Sequence, residues 1–138
     1  MVPKCAYHRQ FYFLVYCDFT RVNDLHACHP TRYVYAAAFN PERPFSFDGV
    51  MKFDNETQAT TTFHYGANRF GGEAVFAPRV GAKTEDDGYL VCFVQDEAAQ
   101  QSECLILDAQ DLAAGPVATI MVPYRVPYGF HATWVGDL

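Results

Sequence analysis

Charge is scarce in this chain. Only 19% of its residues are charged, and the 10 Lys and Arg are scattered among 16 Asp and Glu, for a formal net charge of −6. With no basic cluster to follow a phosphate backbone, nucleic acid is excluded as an expected partner. Long apolar runs are missing too: none approaches the ~18 residues of a membrane-spanning helix. The opening stretch, MVPKCAYHRQFYFLVYCDFT, lacks the basic, apolar and small-residue order of a secretory signal. The five cysteines, Cys5, Cys17, Cys28, Cys92 and Cys104, are odd in number and include no C-x-x-C pair. That argues against a disulfide framework or a zinc site and for reduced, mostly buried thiols. These absences together lead to the expectation of a soluble, cytoplasmic chain, provided that Met1 is the true start. Helical periodicity is nearly absent as well.

Apolar and aromatic residues, in contrast, are plentiful: 50% of the 138 residues are hydrophobic and 16% aromatic, which is globular material for one domain or part of one. They fall into short β-branched or aromatic runs, so strands are expected at Tyr12–Cys17, Tyr33–Phe39, Gly49–Asp54, Thr60–Tyr65, Ala74–Pro78, Tyr89–Gln95, Cys104–Leu107, Val117–Val122 and Phe130–Val135. Turns are expected at NPERP (40–44), FDG (47–49), YGAN (65–68) and EDDG (85–88). DAQDLAAG (108–115) is read as a loop with room for a single helical turn. Such spacing suits a sandwich, a barrel or propeller blades, and periodicity alone does not choose among them.

Few residues stand out chemically. His131, within RVPYGFHATWV (125–135), is a lone imidazole in an apolar run. That pattern fits a hydrogen-bonded core histidine or a metal ligand. If the run is a strand, Phe130 faces away from His131. Glu73, between glycines and AVF, reads from its immediate neighbours as a carboxylate at a strand start. HACHP (26–30) is a weak zinc signal, because it offers one short ligand pair and no second. His64 alternates with threonines and is expected on a solvent face, whereas His8 has no clear placement. EDDGYL lacks the oxygen ladder of a calcium loop, and GAKT is too short for a phosphate loop. NET (55–57) fits a glycosylation sequon without evidence of secretion.

Several segments in register resemble the C-terminal part of the carotenoid cleavage oxygenases: RFGGEAVFAPR (69–79), GAKTEDDGYLVCFVQDE (81–97), SECLILDAQDL (102–112) and RVPYGFHATWV (125–135). TRYVYAAAF and FDGVMKFD resemble the preceding part of that family. The likeness runs from about Thr31 to Val135 and fades toward the amino terminus. It implies a seven-bladed β-propeller with an Fe(II) ion on its axis, held by four histidines, and cleavage of a polyene double bond with dioxygen. On the same resemblance His131 is the last iron ligand and Glu73 a carboxylate orienting a ligand histidine. Asp18, in CDFTRVN, stands where the family has a second such glutamate and is one methylene shorter. Tyr128, Phe130 and Trp134 line the substrate tunnel or pack the core.

The expected fold is therefore all-β, about two blades of a seven-bladed propeller, with residues 1–30 a divergent segment and 31–138 the C-terminal blades. One ligand of the four is present, and a single imidazole does not hold iron against water. The expected function is that of a C-terminal portion of a non-haem Fe(II) dioxygenase acting on a carotenoid or apocarotenoid with O2, inactive alone, cut by truncation, frameshift or a misassigned start. The alternative is a non-catalytic propeller remnant that self-associates through exposed strand edges or docks onto another propeller. An unrelated small β-sandwich is the third reading.

Overall fold

The computed structural model describes residues 17–43 and 45–136. His8, Cys5 and all but the last residue of the expected Tyr12–Cys17 strand lie outside them.

The first half of the chain folds back and forth as β1 (Cys17–Arg21), β2 (Tyr33–Phe39), β3 (Phe47–Asp54) and β4 (Thr60–His64), each antiparallel to the next. Strand β2 reads YVYAAAF and is buried over Tyr35–Ala38, so alanines serve where both faces are covered and little space remains. Polar side chains fix the reversals. Asn40 Oδ1 accepts the N–H groups of Glu42 and Arg43 at 2.8 and 3.1 Å, which closes the expected NPERP turn. Asp54 accepts those of Glu56 and Thr57 at 2.9 and 3.3 Å while the Arg32 guanidinium forks onto it at 3.1 and 2.8 Å. That fork holds the Asp54 carboxyl well below the usual carboxylate range.

The second half contributes β5 (Arg69–Gly71), β6 (Val75–Pro78), β7 (Gly88–Asp96), β8 (Gln101–Asp108) and β9 (Pro116–Val122). Both β5 and β6 pair with β7, yet Gly71 faces Val94 while Val75 faces Val91. Gly72, Glu73 and Ala74 thus stand opposite only Phe93 and Cys92, and the strand bulges there. Phe47 of β3 pairs with Gly71 of β5, joining both halves into one nine-stranded sheet.

Between the halves lies the core. The Tyr35 and Phe76 rings stack at 5.5 Å, and Leu90, Val94, Leu105 and Leu107 are sealed from solvent beneath them. Fully burying each such aliphatic side chain stabilises the fold by roughly 1.5–3 kcal/mol. The EDDG turn clamps the halves from the rim. Glu85 accepts the Arg32 and Tyr33 N–H groups at 3.0 and 2.9 Å, and Asp86 holds Lys52 Nζ at 2.7 Å. Asp87 accepts from Arg79 Nε at 2.9 Å. Burial would raise the Asp86 carboxyl, but hydrogen bonds from Lys52, Gln110 and Thr84 outweigh it and leave it lowered.

The all-β expectation agrees with this architecture, while two local expectations are corrected. Phe130–Val135 is not a strand: it lacks a ladder partner, and alternation of apolar residues without one leaves an irregular strap. FDG is not a turn but the start of β3, entered through a register shift after Ala38. A Cβ at Gly49 would stand 2.5 Å from the Phe63 carbonyl oxygen, so the glycine there serves close strand approach. In addition, β1 and the short β5 are strands beyond those expected, and a single 3-10 turn at Leu112–Ala114 occupies the 108–115 loop.

Candidate functional site

Glu73 projects from the bulge between β5 and β6 with only 4% of its side chain exposed. The last stretch of chain, 123–136, crosses that bulge as a strap and is pinned at successive points. Val126 N–H donates to Ser102 Oγ at 2.7 Å, and Ser102 Oγ donates to Gln95 Oε1 at 2.7 Å. Tyr128 Oη donates to Glu97 Oε1 at 2.6 Å, and Arg43 grips the same carboxylate at 2.7 and 2.9 Å. The Arg43 guanidinium, with the Tyr128 hydroxyl second, lowers Glu97 to about 2. Gly129 lies directly over Gly72, where an added Cβ would meet the Gly129 carbonyl oxygen at 2.5 Å. Finally, the Ala132 N–H donates to Glu73 Oε2 at 2.6 Å, a charge-assisted bond that fixes the strap beside His131.

His131 Nδ1 stands 3.8 Å from the same Glu73 oxygen, near enough for electrostatic pairing but too long for a hydrogen bond. With Nδ1 facing the carboxylate, Nε2 is the nitrogen left for another partner. The imidazole is 80% exposed, so it is not the buried core histidine that its apolar neighbours suggest. Its ring meets the Phe19 ring edge-on at 5.3 Å, and Phe130 meets that Phe19 ring at 6.0 Å. Phe130 and His131 therefore do not point to opposite sides, because strand alternation fails where there is no strand. Phe19 itself has a left-handed φ of 54°, within the irregular register of β1.

The other singled-out residues are placed as follows. Asp18 is exposed, and its Oδ1 accepts the neighbouring Phe19 N–H at 2.8 Å. Tyr128 anchors the strap, and Trp134 is partly exposed on it. His64 sits on β4 as expected, exposed and 3.6 Å from Asp48. Cys92 is buried, Cys17 and Cys104 are half-buried and Cys28 is exposed, so the described thiols are less sheltered than expected. Two residues near Glu73 escaped the sequence reading: Phe19, and Arg21, whose Nε lies 3.9 Å from Glu73 Oε1. Both flank Asp18 within CDFTRVN, but nothing in their spacing signals that β1 carries them to the bulge.

A shallow cleft of about 240 Å³ opens beside the pair, bordered by Phe70, Phe93, Val126, Tyr128 and His131. Imidazole and carboxylate suit one coordination position of a borderline metal, with the carboxylate as its orienting partner. Among the described residues no group of three His, Cys, Asp or Glu is placed to hold an ion.

The family is given by likeness to known proteins along nearly the whole chain. The chain belongs to the retinal pigment epithelial membrane protein family, the carotenoid cleavage oxygenases, whose family model matches residues 7–136. It is 37% identical to the carotenoid 9,10(9',10')-cleavage dioxygenase 1 of Arabidopsis thaliana over 133 residues, covering 87% of this chain and 24% of that protein. It is 35% identical to the apocarotenoid-15,15'-oxygenase of Synechocystis, covering 86% of this chain and 24% of that protein. A crystal structure of the cobalt-substituted Synechocystis oxygenase superposes with a TM-score of 0.82 at 34% identity, covering 88% of this chain and 26% of that one. This chain therefore spans about a quarter of the length of the relatives it matches.

Proposed function

We propose that this chain supplies the last histidine ligand, His131, and its carboxylate partner, Glu73, to the iron(II) centre of a dioxygenase that cleaves a double bond in a carotenoid or apocarotenoid. The clamp from Glu73 Oε2 to the Ala132 N–H at 2.6 Å carries this reading, because it fixes the residue next to the imidazole on a strap that otherwise has no ladder partner. In this reading the two antiparallel runs, β1–β4 and β5–β9, are two blades of a seven-bladed propeller, and the other ligands come from polypeptide outside this sequence.

The ion, when bound, would supply activation of dioxygen beside the polyene. The chain's own residues hold the site. Glu73 fixes the strap beside the imidazole through the Ala132 N–H and faces Nδ1, which leaves Nε2 for the metal, and the Phe19 ring packs edge-on against one flank of the imidazole. The neighbouring cleft, bordered by Phe70, Phe93 and Val126, offers an apolar wall for a polyene.

A second reading, a non-catalytic module that associates through strand edges, draws support from β9. Its outer side is unpaired among the described residues, and Val117, Ile120 and Met121 of the strand are exposed. The test is a graft in which this chain replaces the matching 26% of the Synechocystis oxygenase. The dioxygenase reading expects the graft to release aldehyde products from an apocarotenoid, and the His131→Ala graft to release none. A folded graft that is inactive in both forms favours the module.

A further inference from the structure

We infer that Arg21 is a positioning residue for the site, acting through Glu73. The carboxylate has two oxygens with different partners. Oε2 takes the Ala132 N–H at 2.6 Å and faces His131 Nδ1 at 3.8 Å. Oε1 faces Arg21 Nε at 3.9 Å, and Arg21 is the one arginine or lysine paired with Glu73 among the described residues. That Nε is buried and has no hydrogen-bond partner among the described residues, although the far end of the same guanidinium reaches Asp24 through Nη2 at 3.4 Å.

A buried N–H without a partner is costly, and a buried carboxylate needs more than one donor to have a fixed orientation. Each group is the nearest remedy for the other. Arg21 sits at the end of β1, which pairs with β2, whereas Glu73 rises from the β5–β6 bulge in the other half of the sheet. The pair therefore crosses between the halves at the site. Asp24 holds the outer nitrogen of the guanidinium, which limits how far Nε can swing from Oε1. With Oε1 held from one side, rotation of the carboxylate is restricted and Oε2 stays on the strap. Arg21 touches neither the imidazole nor any metal position; it acts on both through the carboxylate.

The inference rests on the proposed ligand role of His131 for its functional meaning, yet its test needs no metal. The readout is the Ala132 amide in nuclear magnetic resonance spectra of this chain. Loss of a bond to a charged acceptor lowers hydrogen-exchange protection by about tenfold or more. Arg21→Met is expected to lower Ala132 protection about tenfold and to move its amide proton upfield, in the same direction as Glu73→Gln. Arg21→Lys should recover part of both changes, and the Val94 and Leu105 amides of the core ladder should keep their protection in every variant. Should Arg21→Met disturb those core amides, Arg21→Gln, with donors but no charge, carries the same comparison. The inference is overturned if Glu73→Gln moves the Ala132 amide and neither neutral Arg21 variant does, or if Glu73→Gln leaves it unmoved. Failure of the graft to hold iron, with the amide responding as expected, would count against the ligand reading alone.

Discussion

At the scale of single residues, side chains that the mechanism does not use directly still decide whether the strap stays in place. Glu97 is the clearest, because it accepts from Arg43 and from Tyr128 at once. Its folded value, lowered from 4.5 to about 2 by the guanidinium first and the phenol second, lies below that of the unfolded chain. A carboxyl lowered in this way contributes stability that is complete above its unfolded value and is lost as pH falls through its folded one. The Tyr128 anchor should therefore persist through pH 4.5 and release only toward pH 2. A carboxyl titration of Glu97 by nuclear magnetic resonance checks this, with Arg43→Met expected to raise the midpoint toward 4.5. A wild-type midpoint already at 4.5 would mean that the Arg43–Glu97–Tyr128 contact is absent in solution. The role of Glu97 has no sequence signature, since the residue reads as one more acid at a hairpin end. Glu73 is different: its immediate neighbours suggest a plain strand-start carboxylate, and only the run of motifs in register singles it out.

At the scale of elements, the β5–β6 bulge and the strap form one device. The bulge turns Glu73 away from the ladder, and Gly72 beside it leaves room for Gly129 to cross. Gly72→Ala would place a Cβ 2.5 Å from the Gly129 carbonyl oxygen, a contact with backbone that no side-chain rotation relieves. The strap must lift, at a cost of about 1–3 kcal/mol by analogy with overpacked interiors. The expected outcome is loss of Ala132 amide protection with the β7–β8 ladder intact, read by hydrogen exchange. Unchanged protection would show that the strap does not depend on this crossing. Elements with a ladder partner were legible in the sequence: Tyr33–Phe39 agrees residue for residue, and the expected Tyr89–Gln95 and Thr60–Tyr65 differ from β7 and β4 only at their ends. The strap was not, because alternation records which side chains are apolar and not whether a neighbouring backbone is available. The three residues of β5 were too few for any period to register.

At the scale of the whole molecule, the sheet is well sealed between its halves and open at its margins. Ile120 is 54% exposed on a strand whose outer edge has no partner among the described residues, and Val117 and Met121 of the same strand are exposed too. His131 is likewise turned toward solvent at the end of the strap, with its carboxylate partner buried behind it. An imidazole presented outward from a fixed base suits a ligand completed by other polypeptide, which is what the proposed dioxygenase site requires. The fold and the family membership were readable in the sequence through motifs spread along the chain. The route by which β1 brings Arg21 and Phe19 to the site was not, because it depends on pairing between strands distant in sequence.

Metal analysis after purification asks whether His131 gives one ligand to an ion whose other ligands lie outside this chain. No stoichiometric iron is expected on the isolated chain, one equivalent on the graft into the Synechocystis oxygenase, and loss of that equivalent in the His131→Ala graft. A tightly held equivalent on the isolated chain, or an undiminished one in the His131→Ala graft, would contradict that role of His131.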